Sequence, residues 1–525
     1  MKKGENKLST FKNPIIPGFY PDPSICRVDD DYYLVTSTFE YFPGIPIFHS
    51  KDLVNWRQIG HVLTRPSQLN LDGTPNSKGI YAATIRYHEG VFYVITTFVE
   101  SQTGARRNFF VTAENPEGPW SDPYWLEDCP GIDTSLFFDD DGKVYVTANR
   151  RPPGGQLYQK HMEIWLQELD LETKQLTGEK YSLWDGALKN VHAQEAPHIY
   201  KVDGMYYLII AEGGTGFTHS ITVARSESVT GPYEGAKTNP ILTHRHLGRE
   251  YPISNVGHGD IVDTNNGEWW MVCLGSRPYG GEYRNLGRES FLVPLKWEEG
   301  WPVVNPRKGI VEMEGTKPNL EEKKWPTTPA CDHFDLPELQ MQWNFIRTPR
   351  GDFWSLTERP GYLRLQLKAE TITETVNPAF VGLRQRHLNF AARTKMEFSP
   401  NNKHEVAGLV LLQNSDFHYR IEYTQSEIKL IKREAGQEEI LASCPYEQKE
   451  VYLKVEAYGQ SYHFYVAKEP EQWQVLKEDV DGRILSTDVA GGFTGAYLGM
   501  YASSNGSESF NHADFDYFEY IGLDK

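Results

Sequence analysis

Cysteine is scarce. The 525 residues hold five, Cys26, Cys129, Cys273, Cys331 and Cys444, an odd number with no Cys-x-x-Cys spacing. A disulfide framework and a zinc cage are excluded, and free thiols in a reducing cytoplasm are the simpler expectation. Long hydrophobic runs are missing too: no stretch of about 18 apolar residues exists, so no membrane-spanning helix is expected. Met1-Lys2-Lys3 carries the charge of a secretory leader, but Asn13 and Pro14 arrive before any apolar stretch, so none is expected. Positive charge is in deficit. Lys and Arg total 53 against 71 Asp and Glu, a net charge of −18. That balance repels phosphate backbones and anionic lipid heads, which removes nucleic acid and membrane surfaces as partners. Helical periodicity is absent before about residue 320, which speaks against an α/β fold. No nucleophile elbow or P-loop occurs, and Gly213-Gly214-Thr215-Gly216 lacks the Lys and helix of a phosphate cradle.

Aromatic residues are plentiful, at 13% of the chain. They suit β-structure and surfaces on which sugars stack. Their arrangement repeats. A polar turn followed by an aromatic-rich strand occurs five times, with the second aromatic at Tyr33, Tyr93, Tyr145, Tyr207 and Trp270. Each turn carries Asp, Asn or Gly, as a tight hairpin requires. Short strands recurring at this period predict blades of four strands, hence a five-bladed β-propeller over residues 1–320. Residues 315–330, rich in Pro and charge, read as a linker that wraps rather than packs. Beyond it Leu363, Leu365 and Leu367 alternate with polar residues, as do Val451, Leu453, Val455 and Ala457. Period-two alternation predicts an antiparallel β-sandwich, so the chain reads as all-β with a second domain over 321–525.

The repeat places side chains as well as strands. Ten to twelve residues before each aromatic marker lies an equivalent position on the innermost strand of its blade. These positions hold Asp22, Ala83 (beside Tyr81 and Thr84), Asp133, Glu195 and His258. Two aspartates, a glutamate and a histidine therefore share one ring around an axis. A lone acid in such a setting is as readily a turn residue capping a strand. Three in repeat register are not packing, because buried carboxylates are costly unless paired or used. Three carboxylates in a cleft with aromatics suit glycoside hydrolysis. One protonates the leaving oxygen, one activates water or attacks carbon, and a third raises the acid's pKa by like-charge repulsion.

Asn13-Pro14-Ile15-Ile16-Pro17-Gly18-Phe19-Tyr20-Pro21-Asp22-Pro23-Ser24 resembles the opening motif of glycoside hydrolase family 43. So do Ser37 to Gly44, His49-Ser50-Lys51-Asp52-Leu53, Gly257-His258-Gly259-Asp260 and Leu286-Gly287-Arg288-Glu289. Phe493-Thr494-Gly495-Ala496-Tyr497 resembles the C-terminal sandwich of the β-xylosidase and α-L-arabinofuranosidase branch. The resemblance implies an inverting, exo-acting enzyme on xylo- or arabinoxylo-oligosaccharides, with no cofactor required and a homo-oligomer left open. It implies that Asp22 is the general base, Glu195 the general acid, and Asp133 the group that tunes Glu195. Arg288 would grip sugar hydroxyls, Phe39 would line the sugar subsite, and Phe493 would close the pocket from the sandwich. His258 would stand near a water-coordinated calcium at the axis, as a peripheral partner because calcium prefers oxygen ligands. One stretch departs: Tyr81-Ala82-Ala83-Thr84 stands where the family's xylosidases usually carry Trp-Ala-Pro-His. Tyr81 can still stack on a sugar, but the change bears on the balance between xylose and arabinofuranose. An arabinofuranosidase or arabinanase, a non-catalytic carbohydrate-binding propeller and a structural scaffold are the competing readings.

Overall fold

A computed structural model describes residues 9–100 and 103–524. The segment judged not to be a leader begins outside the described residues. Five four-stranded antiparallel sheets follow one another in chain order. Their innermost strands are Ser24–Val28, Gly79–His88, Ser135–Phe138, Glu195–Val202 and Ser254–Asp263. Each aromatic marker lies on the second strand of its blade, as Tyr93 does in Val91–Val99 and Trp270 in Trp269–Ser276. There its ring fills the space between neighbouring sheets: Tyr93 packs 5.0 Å from Phe138 of the next blade, Tyr207 4.7 Å from Trp297. The repeat therefore records inter-blade packing.

The ring is closed by hydrogen bonds. Thr10–Lys12 pairs with Glu314–Thr316. Asn13 is buried; its Nδ2 donates to the carbonyls of Leu292 and Glu312, and its Oδ1 accepts from Leu292 N–H. The N-terminal strand thus sews the first blade to the last and leaves no open seam for solvent.

Residues 331–522 form the sandwich, an eight-stranded sheet facing a six-stranded one. The alternation seen in the sequence is the burial pattern: Leu363, Leu365, Val451, Leu453, Val455 and Ala457 are fully buried. The linker does more than wrap. Trp325 Nε1 donates to the carbonyl of Asn55, its ring lies 4.1 Å from the Arg57 guanidinium, and Lys323 N–H donates to Asp52. The indole needed an apolar and cationic face, and blade one supplies it. The domains also share a two-stranded sheet, Phe345–Ile346 against Tyr41–Phe42.

Candidate active site

All eight residues singled out in the sequence line one cavity of about 110 Å³ at the mouth of the propeller: Asp22, Phe39, Tyr81, Asp133, Glu195, His258, Arg288 and Phe493. Their placement differs from regular strand positions. Asp22 and Asp133 precede their innermost strands and adopt left-handed backbone, with φ of 54° and 57°. Glu195 opens its strand at a register shift, and His258, at φ 48°, sits inside one, between Gly257 and Gly259. In blade two a shift between Ile80 and Ala83 buries Ala83 and turns Tyr81 and Ala82 to the cavity. Such irregularities bend a strand and re-aim a side chain, and left-handed non-glycine residues persist where the surroundings over-determine them. A carboxylate within the regular strand would point into the packed channel; ahead of it, the carboxylate faces the cavity.

The three acids live in different fields. Asp22 is buried, which by itself would raise its pKa. Arg288 Nη1 at 2.6 Å, His258 Nδ1 at 3.7 Å and the Ser37 hydroxyl, donating at 2.5 Å, outweigh this and hold it below the ordinary value. It is an anion. Asp133 is pushed well above its ordinary value by burial and then by Glu195 and Asp22, although it accepts the N–H of Ala196. Burial also raises Glu195; Arg106 opposes that shift and Asp22 adds to it. Asp133 and Glu195 therefore titrate as a pair that keeps a proton after Asp22 has lost its own.

Arg288 is anchored by one end only. Nη1 binds Asp22 and lies 3.3 Å from Thr215 Oγ1, while Nε and Nη2 are buried with no protein partner. Arg288 lines the cavity beside a carboxylate with two donors not spent on the protein, which suits sugar hydroxyls. The apolar wall is Phe39, whose ring lies 5.9 Å from Phe493, stacked, and 5.2 Å from Tyr81. Phe493 comes from the sandwich and is pinned through its N–H to Ser77 Oγ at 2.9 Å.

The calcium expected beside His258 finds no ligand set. Among the described residues no group of three or more His, Cys, Asp or Glu could hold a metal ion. The nearest further carboxylate, Asp260, is saturated by Ser24, Ile25 N–H, Tyr200 and Arg86. The residues present do not fit the ion, and no step is routed through one.

Sequence reasoning missed four contributors. Ser37 lay inside a recognised motif but was given no role. Thr215 sits in the glycine-rich loop that was considered only as a phosphate cradle. His219, another wall residue, is pushed down to about 4 by burial; Gly257 makes room for its ring, since a Cβ there would stand 2.3 Å from it. Asn149 carries no motif. Its Nδ2 donates to Gln194 O and its Oδ1 accepts from Ile132 N–H, tying the segments that bear Glu195 and Asp133. Gly131, at φ +95°, lets that clamp close, because a Cβ would lie 1.6 Å from Asn149 O. Only the repeat alignment of strand ends could have signalled it.

The profile of Glycosyl hydrolases family 43 matches residues 11–302, and that of the Beta xylosidase C-terminal Concanavalin A-like domain matches residues 331–521. A "Xylosidase/arabinosidase" of Butyrivibrio fibrisolvens is 47% identical over 514 residues, covering 96% of this chain and 98% of that protein. A "Non-reducing end alpha-L-arabinofuranosidase" of Bacteroides ovatus is 41% identical, covering 98% and 95%. The crystal structure of a xylan beta-1,4-xylosidase from Bacillus halodurans C-125 superposes with a TM-score of 0.92 at 38% identity, covering 97% of this chain and 99% of that one.

Proposed function

Since this chain belongs to glycosyl hydrolases family 43, we propose that it is an inverting exo-glycosidase that removes the non-reducing xylose, and L-arabinofuranose, from short xylo- and arabinoxylo-oligosaccharides. The observation that carries this reading is one small cavity holding a carboxylate kept ionised together with an interacting carboxyl pair that retains a proton. The volume is below the usual range for ligand pockets, which suits a single terminal sugar and not a chain passing through.

Asp22 is the general base: it takes a proton from a water, whose oxygen attacks the anomeric carbon. Glu195 is the general acid: it gives its proton to the glycosidic oxygen as the bond to the anomeric carbon breaks, and the bonding pair leaves with that oxygen. Inversion follows when base and acid flank opposite faces of the sugar. Asp133 accepts the N–H of Ala196, the residue after Glu195, and titrates together with Glu195, whose charge adds to the burial that raises it; its part is to orient and tune the acid. Arg288 keeps Asp22 anionic and lines the cavity with two donors that no protein group uses. Residues 1–320 act as the catalytic unit and 321–525 as the unit that closes the pocket with Phe493. Five unpaired cysteines support a cytoplasmic setting.

One relative is named for both sugars and the other for arabinofuranose alone, and Tyr81 is the cavity residue at which this chain departs from the xylosidase pattern. Initial rates on aryl-xyloside and aryl-arabinofuranoside, with NMR detection of the first anomer released, test the reading. Release of the inverted sugar from either substrate, abolished in Asp22→Asn, is expected. Retention of configuration, or an Asp22→Asn enzyme of undiminished rate, would overturn it.

A further inference from the structure

One pleat beneath the catalytic ring lies a second ring that the reaction does not use. Two residues past Asp22, Asp133 and His258 stand Ser24, Ser135 and Asp260; three past Glu195, beyond its register shift, stands His198. These four lie on the innermost strands of four blades and converge on one another through side-chain contacts. Blade two contributes Arg86. Its guanidinium gathers the others. Nη1 donates to Asp260 Oδ2 at 2.8 Å and to Ser24 Oγ at 3.3 Å, and Nη2 donates to His198 Nδ1 at 3.0 Å and Asp260 Oδ1 at 3.3 Å. Ser135 Oγ lies 3.0 Å from the same His198 nitrogen. All five innermost strands thus meet at one cation.

We infer that Arg86 is the resident axial cation of this propeller, occupying by side chain the role that the family resemblance assigned to calcium, and that this chain neither binds nor needs the metal. The chemistry of the ring supports this on three counts. Asp260 is fully buried and has no free lone pair directed at the axis: it already accepts from Arg86, Ser24, Ile25 N–H and Tyr200. His198 accepts from Arg86 at Nδ1, so its proton resides on Nε2. That Nε2 is buried without a partner, near His258, with the ring centroids 6.4 Å apart. Any guest between the two histidines would meet an N–H donor and, beyond it, a guanidinium; a water is accepted there and a dication is repelled. The cation fixed on Arg86 cannot dissociate, so the floor under Asp22 and His258 keeps its geometry at any calcium concentration.

The test uses the intact chain and has arms that do not depend on the substrate, so its failure is distinguishable from failure of the glycosidase reading. Elemental analysis of the purified protein is expected to find well below one calcium per chain, and EDTA or calcium chloride should leave both Tm and kcat/KM unchanged. Arg86→Ala strands Asp260 as a buried unpaired charge; Tm should fall by at least ~5 °C. Millimolar guanidinium chloride should recover part of both Tm and rate in this variant and do nothing to the unaltered protein, an effect that general loss of packing would not show. Arg86→Lys, which keeps the charge, should fall less. About one calcium per chain whose removal by EDTA lowers Tm or rate would overturn the inference, and so would an Arg86→Ala protein of unchanged Tm. The elemental and chelator arms stand even if Arg86→Ala does not fold.

Discussion

Replacing Arg288 separates two things the structure gives it to do. One Nη holds Asp22 ionised; Nε and the other Nη are buried without a protein partner. Arg288→Lys keeps a positive charge but loses the planar fork. If the two free donors meet sugar hydroxyls, their removal forfeits two charge-assisted hydrogen bonds at ~1.5–3 kcal/mol each. Together that is about 3–6 kcal/mol, a fall of ~10²–10⁴ in kcat/KM. The acid limb of the pH profile should stay in place, because the charge beside Asp22 remains. Arg288→Ala should lose as much and also move the acid limb upward, because buried Asp22 then lacks its strongest opposing charge. The assay is kcat/KM for an aryl-xyloside across pH, on protein whose Tm has been checked. An Arg288→Lys enzyme within roughly threefold of the parent would refute the assignment of the free donors to substrate, and an acid limb unmoved in Arg288→Ala would refute the assignment of Nη1 to Asp22.

Glu195→Ala should cost ~10²–10⁴ on xylobiose and clearly less on an aryl-xyloside with a good leaving group, whose oxygen needs little protonation; equal losses on both would remove Glu195 from the acid's role. The pH profile of the parent follows from the shifts. Activity needs Asp22 ionised and Glu195 protonated, so it should fall at low pH only below the ordinary aspartate value of 3.8 and persist above the ordinary glutamate value of 4.5 before declining. A plateau that ends on the acid side above 3.8 contradicts the field around Asp22. Phe493→Ala removes a stacked ring worth ~0.5–1.5 kcal/mol, so KM should rise about three- to tenfold while kcat changes less; Michaelis–Menten analysis on xylobiose checks it. Asn149→Ala should lower kcat more than it raises KM, because it frees the segments bearing Asp133 and Glu195 without touching substrate, and an unaltered kcat would show that the clamp is dispensable.

The five-blade plan was legible before any coordinates existed, because the same physical demand recurs in every blade: a turn residue, then an aromatic to fill the wedge between sheets, at Tyr33, Tyr93, Tyr145, Tyr207 and Trp270. The same counting brought Asp22, Asp133, Glu195 and His258 to one ring, and the alternation around Leu363 and Val451 gave the sandwich. These are local periodicities, and local sequence carries them. What counting could not supply is anything set by contacts between distant segments. The left-handed backbone that sets Asp22 and Asp133 ahead of their strands, the Trp325 that docks on blade one, the Asn149 clamp and the Ser77 hydroxyl that pins Phe493 all depend on partners up to hundreds of residues away. Arg86 illustrates the limit best. In sequence it is one basic residue on a strand among 53 Lys and Arg. Only the closure of the ring brings Ser24, Ser135, His198 and Asp260 around it, and the competition among those groups for one buried charge decides whether a metal has any place there.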